Sequence, residues 1–129
     1  MDIKPRHRST CHCGAVELEV TLENGIDNPR HCDCSMCRRR STIICSIPLA
    51  NLTVVKGAGT LRLYQFHSRT AEHYFCSICG IHTHHRLRSD PSQYGVNLGC
   101  LEGVNPFKVG PVTVYDGVNH PADGGEEPG

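Results

Sequence analysis

The sequence predicts a mainly β domain of short antiparallel strands, stapled by metal-bound cysteines. Three observations predict it. Val16, Leu18, Val20 and Leu22 alternate with Glu17, Glu19 and Thr21, the period of a strand with one buried face. No stretch of ten or more residues carries a 3.6-residue apolar period. Finally, seven of the nine cysteines fall in three tight groups, which read as metal ligands when thiols are reduced.

The elements follow in order. Residues 15–22 form the clearest strand, and Asn24-Gly25 closes it as a turn. At most one turn of helix is expected after Cys34. The runs Thr42–Ile47, Leu52–Val55, Leu61–Phe66, Glu72–Phe75, His82–Leu87, Tyr94–Leu98 and Val112–Tyr115 are short and rich in β-branched and aromatic residues. Gly, Pro, Asn and Ser punctuate them. Residues 1–121 are expected to form one domain, and residues 122–129, rich in Gly and Glu, a disordered tail.

Composition narrows the function. The chain has 129 residues, of which only 29 are Leu, Ile, Val or Phe, so the apolar core is thin. Net charge is zero at pH 7, which argues against a general nucleic-acid or membrane-surface binder. No apolar run approaches the ~18 residues that span a bilayer. The polar start, Met1 to Arg8, does not read as a secretory signal. The expectation is a soluble, cytoplasmic protein whose cysteines stay reduced. An odd count of nine also speaks against a disulfide framework.

The clusters are Cys11-His12-Cys13-Gly14, Cys32-Asp33-Cys34-Ser35-Met36-Cys37 and Cys76-Ser77-Ile78-Cys79-Gly80. Zinc suits them, being four-coordinate, tolerant of thiolates and inert to cellular reductants. Seven ligands divide as four and three. A simple ribbon would join Cys34 and Cys37 with Cys76 and Cys79. The glycines favour another pairing, because only the first and third groups end in Cys-Gly. Glycine there permits a positive φ that turns backbone N–H groups toward the sulfurs. Cys11, Cys13, Cys76 and Cys79 then make a closed structural site. Cys32, Cys34 and Cys37 remain around a second ion, the three-ligand arrangement of a catalytic zinc. A fourth protein ligand could close that site too, and His31, Asp33, Cys45 and Cys100 are the candidates.

Other residues admit two readings each. Arg38-Arg39-Arg40 could anchor substrate carboxylates, Arg38 and Arg39 foremost, or form a solvated basic turn. Period-two alternation puts His82 and His84 on one strand face and His85 on the other. They could include a general base, but a surface strand with ordinary histidines is favoured. His12 is expected to be exposed or beside the ligands. Cys45 reads as a small buried hydrophobe. Cys100 could be core or a reactive thiol, and a depressed thiol pKa would support a redox role. Asp116 to His120 could shape the rim of the site, although Asp116-Gly117 is also a plain turn.

Taken together, Cys11-His12-Cys13-Gly14-Ala15-Val16, Cys34-Ser35-Met36-Cys37-Arg38-Arg39, Phe75-Cys76-Ser77-Ile78-Cys79-Gly80 and Tyr115 to Pro121 resemble the glutathione-dependent formaldehyde-activating enzyme family, which shares a domain with a vertebrate centromere protein. The resemblance runs from about Cys11 to Pro121. It implies a mainly β fold of the Mss4-like type. It also implies a structural zinc at Cys11, Cys13, Cys76 and Cys79, and a catalytic zinc at Cys32, Cys34 and Cys37. The implied activity is that of a carbon–sulfur lyase, joining a small thiol such as glutathione to formaldehyde. Two positions depart from the family pattern: Asp33 stands where a histidine is usual, and Cys100 where a hydroxyl residue is common. The glutathione-using members are also longer than this chain. The alternative from another class is a non-catalytic zinc module that binds a protein or nucleic acid through Arg38–Arg40.

Overall fold

The computed structural model describes residues 3–118. The expected tail, Asn119 and His120 lie outside the described residues. The architecture is mainly β, in two sheets. Strands β1 (Arg6–Thr10), β2 (Glu17–Thr21) and β5 (Leu52–Lys56) form an antiparallel sheet in the order β1-β2-β5. The second sheet adds β3 (Arg30–Cys32), β4 (Ile44–Pro48), β6 (Leu61–Tyr64), β7 (Glu72–Cys76), β8 (His82–Arg86), β9 (Gln93–Asn97) and β10 (Thr113–Tyr115). Its order is β10-β3-β4-β9-β8-β7-β6, and every pair is antiparallel except β10 with β3. That parallel pair departs from the purely antiparallel expectation. It brings residues 115–117 back beside Cys32.

The alternating strand behaves as its pattern requires. Val16, Leu18, Val20 and Leu22 are all buried. They serve two cores. Val20 and Leu22 join Ile43, Cys45, Ile47, Val96, Leu98, Leu101 and Val104. Val16 and Leu18 pack instead against Cys11 and Cys76. Each such aliphatic side chain contributes roughly 1.5–3 kcal/mol on burial. Cys45 is wholly buried in the larger core, the role its sequence context suggested.

Two strands escape the sequence patterns, β1 because its buried residues are polar and β3 because it is three residues long with none fully buried. β1 reads Arg-His-Arg-Ser-Thr, and its buried positions are His7 and Ser9. The His7 ring is satisfied at both nitrogens: Lys4 N–H donates to Nε2 at 3.0 Å, and Nδ1 donates to the Glu102 carbonyl at 3.0 Å. β3 is only Arg-His-Cys. The expected turn of helix is present as α1, Ser35–Arg40.

The histidine strand corrects two expectations. His82, Thr83, His84 and His85 are all buried, not displayed on a surface. The faces also differ from simple alternation. Tyr74 pairs with His84, while Phe75 pairs with His82, leaving Thr83 as an extra residue in β8. Such a bulge shifts the side-chain phase by one. His82 and His85 therefore meet, Nε2 to Nδ1 at 3.0 Å. His84 lies apart from them, stacked on Tyr74 at 4.8 Å and edge-on to Tyr94 at 5.2 Å.

Candidate metal centres and cavity

Cys11 and Cys13 sit where β1 runs into the turn before β2. Cys76 ends β7, and Cys79 lies in the turn to β8. The four sulfurs lie within 4.8 Å of one another. Cys11 and Cys13 are 3.6 Å apart at Sγ, and Cys13 and Cys76 are 3.7 Å apart. A disulfide would need about 2.05 Å. A tetrahedral ion with Zn–S bonds of about 2.3 Å would set sulfurs roughly 3.8 Å apart, so the donor set fits a four-thiolate ion. Backbone amides complete the cradle. Val16 N–H donates to Cys11 Sγ at 3.3 Å. The amides of Ile78 and Cys79 donate to Cys76 Sγ at 3.4 and 3.5 Å. Gly14 and Gly80 make these turns at φ of 80° and 78°, the left-handed conformation expected of them.

The second cluster is built differently. β3 delivers Cys32, and α1 delivers the others. Cys34 caps the helix, its sulfur accepting from the Cys37 amide at 3.3 Å, which brings these two thiols together. The sulfurs of Cys32, Cys34 and Cys37 lie within 4.8 Å of one another. Three thiols this close cannot all ionise without a cation. The Cys34 thiol is pulled down by hydrogen bonds from Cys32 and Cys37, while the Cys32 thiol is pushed up, first by its hydrogen bond with Cys34. Arg40 adds positive charge, its Nη2 donating to Cys37 Sγ at 3.4 Å. The donor set thus fits a thiolate-bound ion here as well.

Among the described residues, no fourth ligand joins this group. Each candidate closer is engaged elsewhere. His31 Nδ1 bonds the Thr42 carbonyl at 3.2 Å. Asp33 Oδ1 accepts from Gly117 N–H at 2.8 Å. Cys45 is in the core. Cys100 donates to the His82 carbonyl at 3.6 Å, and burial pushes its thiol up to about 12. That is the opposite of the depressed thiol a redox nucleophile needs.

The three thiols border a cavity instead. Arg30, Phe66, His73, His85, Arg88 and Tyr115 stand among its walls. Gly117 closes one side: a Cβ there would meet Cys32 Sγ at 2.5 Å and Cys34 Cβ at 2.7 Å. The Asp33–Gly117 bond holds this segment down, so the aspartate ties the rim and leaves ligation to its cysteine neighbours. Arg38 and Arg39 are exposed on α1 and do not line this cavity. Arg39 lies along a neighbouring groove with Met36, Tyr64 and Phe75. His12 is exposed, as expected.

His73, Arg30 and Arg88 are wall residues that sequence reasoning missed, whereas His85 comes from the histidine run already singled out. His73 pairs with His85 across β7 and β8. Simple alternation from the buried Cys76 would face Tyr74 and not His73 to the same side. The register shift between Tyr74 and Phe75, opposite Thr83, puts both Cys76 and His73 among the buried residues, and no sequence pattern announces it. Burial holds His73 down to about 4, with Arg40 adding to the effect. His82 and His85 are held well below the ordinary imidazole range, first by burial.

A small β domain with one cluster of four cysteines and one of three is therefore the class that fold and site define. The sequence profile of the glutathione-dependent formaldehyde-activating enzyme family matches residues 6–115. The chain belongs to this family. Among its relatives, a Penicillium rubens protein is 30% identical over 96 residues, and a Fusarium vanettenii protein is 29% identical over 92. Those matches cover 71% and 68% of this chain, and 50% and 49% of the relatives. Both are named "Putative glutathione-dependent formaldehyde-activating enzyme". The chain thus spans about half the length of the curated relatives it matches. A crystal structure of a Rhodobacter sphaeroides protein is 57% identical, with a TM-score of 0.80 over 83% of this chain and 98% of that one. No helix among the described residues is long and apolar enough to cross a membrane.

Proposed function

We propose that this protein is a zinc-dependent carbon–sulfur lyase that acts on the adduct of a small thiol and an aldehyde. The observation that carries the reading is the three-thiol cluster bordering a cavity, with no fourth ligand among the described residues. The family match and the names of the curated relatives support glutathione and formaldehyde as the substrate pair. In this reading Cys11, Cys13, Cys76 and Cys79 hold a structural zinc, and Cys32, Cys34 and Cys37 a catalytic one. A zinc held by three thiolates supplies Lewis acidity, which lowers the pKa of a thiol and polarises a carbonyl.

The protein's own groups do the rest. The reaction forms one carbon–sulfur bond and opens the carbonyl double bond. A thiol and formaldehyde give an S-hydroxymethyl thioether, with every atom retained and no change in redox state. Phe66, Leu87 and Tyr115 give the cavity apolar walls. Arg30 and Arg88 offer fixed positive charge to a substrate carboxylate from inside the cavity. Arg38 and Arg39 offer it from the helix outside, where the carboxylates of a longer thiol such as glutathione would reach. The reading places the protein in the cytoplasm, where its thiols and the substrate thiol stay reduced.

The test is adduct formation from glutathione and formaldehyde, followed by NMR against the uncatalysed rate. Cys34→Ser and Cys37→Ser are expected to lose the second zinc and the activity while keeping the fold. Unfolding of both variants, or activity in a variant that has lost the second zinc, contradicts the assignment.

A further inference from the structure

His73 stands in β7 with both ring faces and one ring nitrogen engaged. It stacks between Phe66, at a centroid distance of 5.6 Å, and His85, at 5.1 Å. Its Nδ1 faces Arg40 Nη1 at 3.1 Å. A guanidinium in a protein is always charged and has donors only. Nδ1 must therefore be the bare, accepting nitrogen, and the ring's single proton sits on Nε2. The same guanidinium reaches Cys37 Sγ with Nη2 at 3.4 Å. It cannot turn away from the imidazole without giving up the thiol. The ring stands between the cavity that holds the three thiols and the neighbouring groove, and lines both. With Nδ1 engaged, Nε2–H is its one remaining polar group.

We infer that His73 is a catalytic residue of this site, a neutral N–H donor whose Nε2–H holds the substrate's carbonyl oxygen, and that Arg40 is the positioning residue that fixes its tautomer. The inference rests on the proposed thiol–aldehyde reaction. As the sulfur–carbon bond forms, the π electrons of the carbonyl move onto oxygen. The Nε2–H hydrogen bond strengthens as that charge develops, the selective stabilisation that raises kcat. No proton leaves His73. The proton lost by the thiol and the one gained by the oxygen balance through solvent. A neutral imidazole serves this role because it donates without being consumed, and Arg40 forbids the imidazolium by occupying the second nitrogen with a like charge.

The test has two parts, both on the zinc-loaded protein. The first reads side-chain 15N resonances. His73 is expected to show a protonated Nε2 and a bare Nδ1 from pH 5 to 8, and its Nε2 signal to shift when formamide, an unreactive carbonyl probe, is added. In Arg40→Gln the tautomer preference is expected to weaken. A proton on Nδ1, or an Nε2 signal indifferent to formamide, overturns the inference whatever the enzyme does. The second part compares His73→Gln with His73→Leu. A Gln side chain can accept from Arg40 through its oxygen and donate through its amide, so it should keep most of kcat. Leu should lose about 100-fold in kcat with the KM for thiol little changed. Equal losses in both overturn the donor role. An inactive wild type whose Nε2 still answers formamide would refute the proposed reaction and leave the donor in place.

Discussion

The two cysteine clusters use the same ligand chemistry for opposite ends. Cys11, Cys13, Cys76 and Cys79 come from two chain segments about sixty residues apart, and two of them are wholly or nearly buried in a small apolar core. Holding them together joins β1 to the β7–β8 hairpin. Cys32, Cys34 and Cys37 come from one short segment, so an ion there closes no large loop. Loop-closure entropy favours the structural role proposed for the first cluster. The second borders a cavity, which suits the open site proposed for it. Ligand number alone does not make the distinction; the length of chain between the ligands and what surrounds them does.

Breaking one member of each cluster gives the largest contrast. Structural zinc contributes on the order of 10 kcal/mol of apparent folding free energy, comparable to the whole net stability of a typical domain, about 5–15 kcal/mol. Cys76→Ser is therefore expected to be unfolded at 25 °C by circular dichroism. Cys37→Ser should keep its spectrum and melt within a few degrees of the parent. A folded Cys76→Ser, or an unfolded Cys37→Ser, reverses the assignment of roles.

A subtler change sharpens the second site without touching a ligand. Gly117 lies against Cys32 and Cys34 with no space for a Cβ. Gly117→Ala must lift the rim or push the thiols, and is expected to weaken binding at the three-thiol site by about 10- to 100-fold. The four-thiol site should keep its affinity. Zinc titration against a competing chelator separates the two.

The smallest effect concerns the buried histidines. Burial holds His84 down to about 4, against about 6.5 in an unfolded chain. The unfolded chain takes up this proton first as pH falls. The stability is fully present above about pH 6.5 and is lost progressively toward pH 4, with about 1.4 kcal/mol gone by pH 5.5. His84→Phe keeps the ring stack with Tyr74 and Tyr94 but removes the titration. Urea unfolding at pH 7 and 5.5 should show a smaller drop for the variant. An equal drop assigns the acid sensitivity to other groups.

Much of this was legible in the chain. The alternation of residues 16–22 located the central buried strand, and two Cys-Gly pairs identified the four-thiol cluster through the φ their glycines require. What failed was legible only in three dimensions. β1 buries His7 and Ser9, so an apolar pattern could not reveal it. One extra residue at Thr83 turned His82 to the side of His85 and made a buried imidazole cluster from what read as a surface strand. The basic run after Cys37 pointed to the right helix, but only Arg40 of the three reaches a ligand thiol and a cavity histidine. Arg30 and Arg88 come to the cavity from positions far apart in sequence, and no local spacing announces them.

The central claim is that the clusters are unlike, one closed and one open to a thiol. Cobalt in place of zinc reports coordination by absorption. Two ions per chain are predicted, with glutathione changing the spectrum of one of them and Cys37→Ser abolishing that change while the other spectrum stays. Two ions with neither spectrum responding to thiol would contradict the account, because both sites would then be closed.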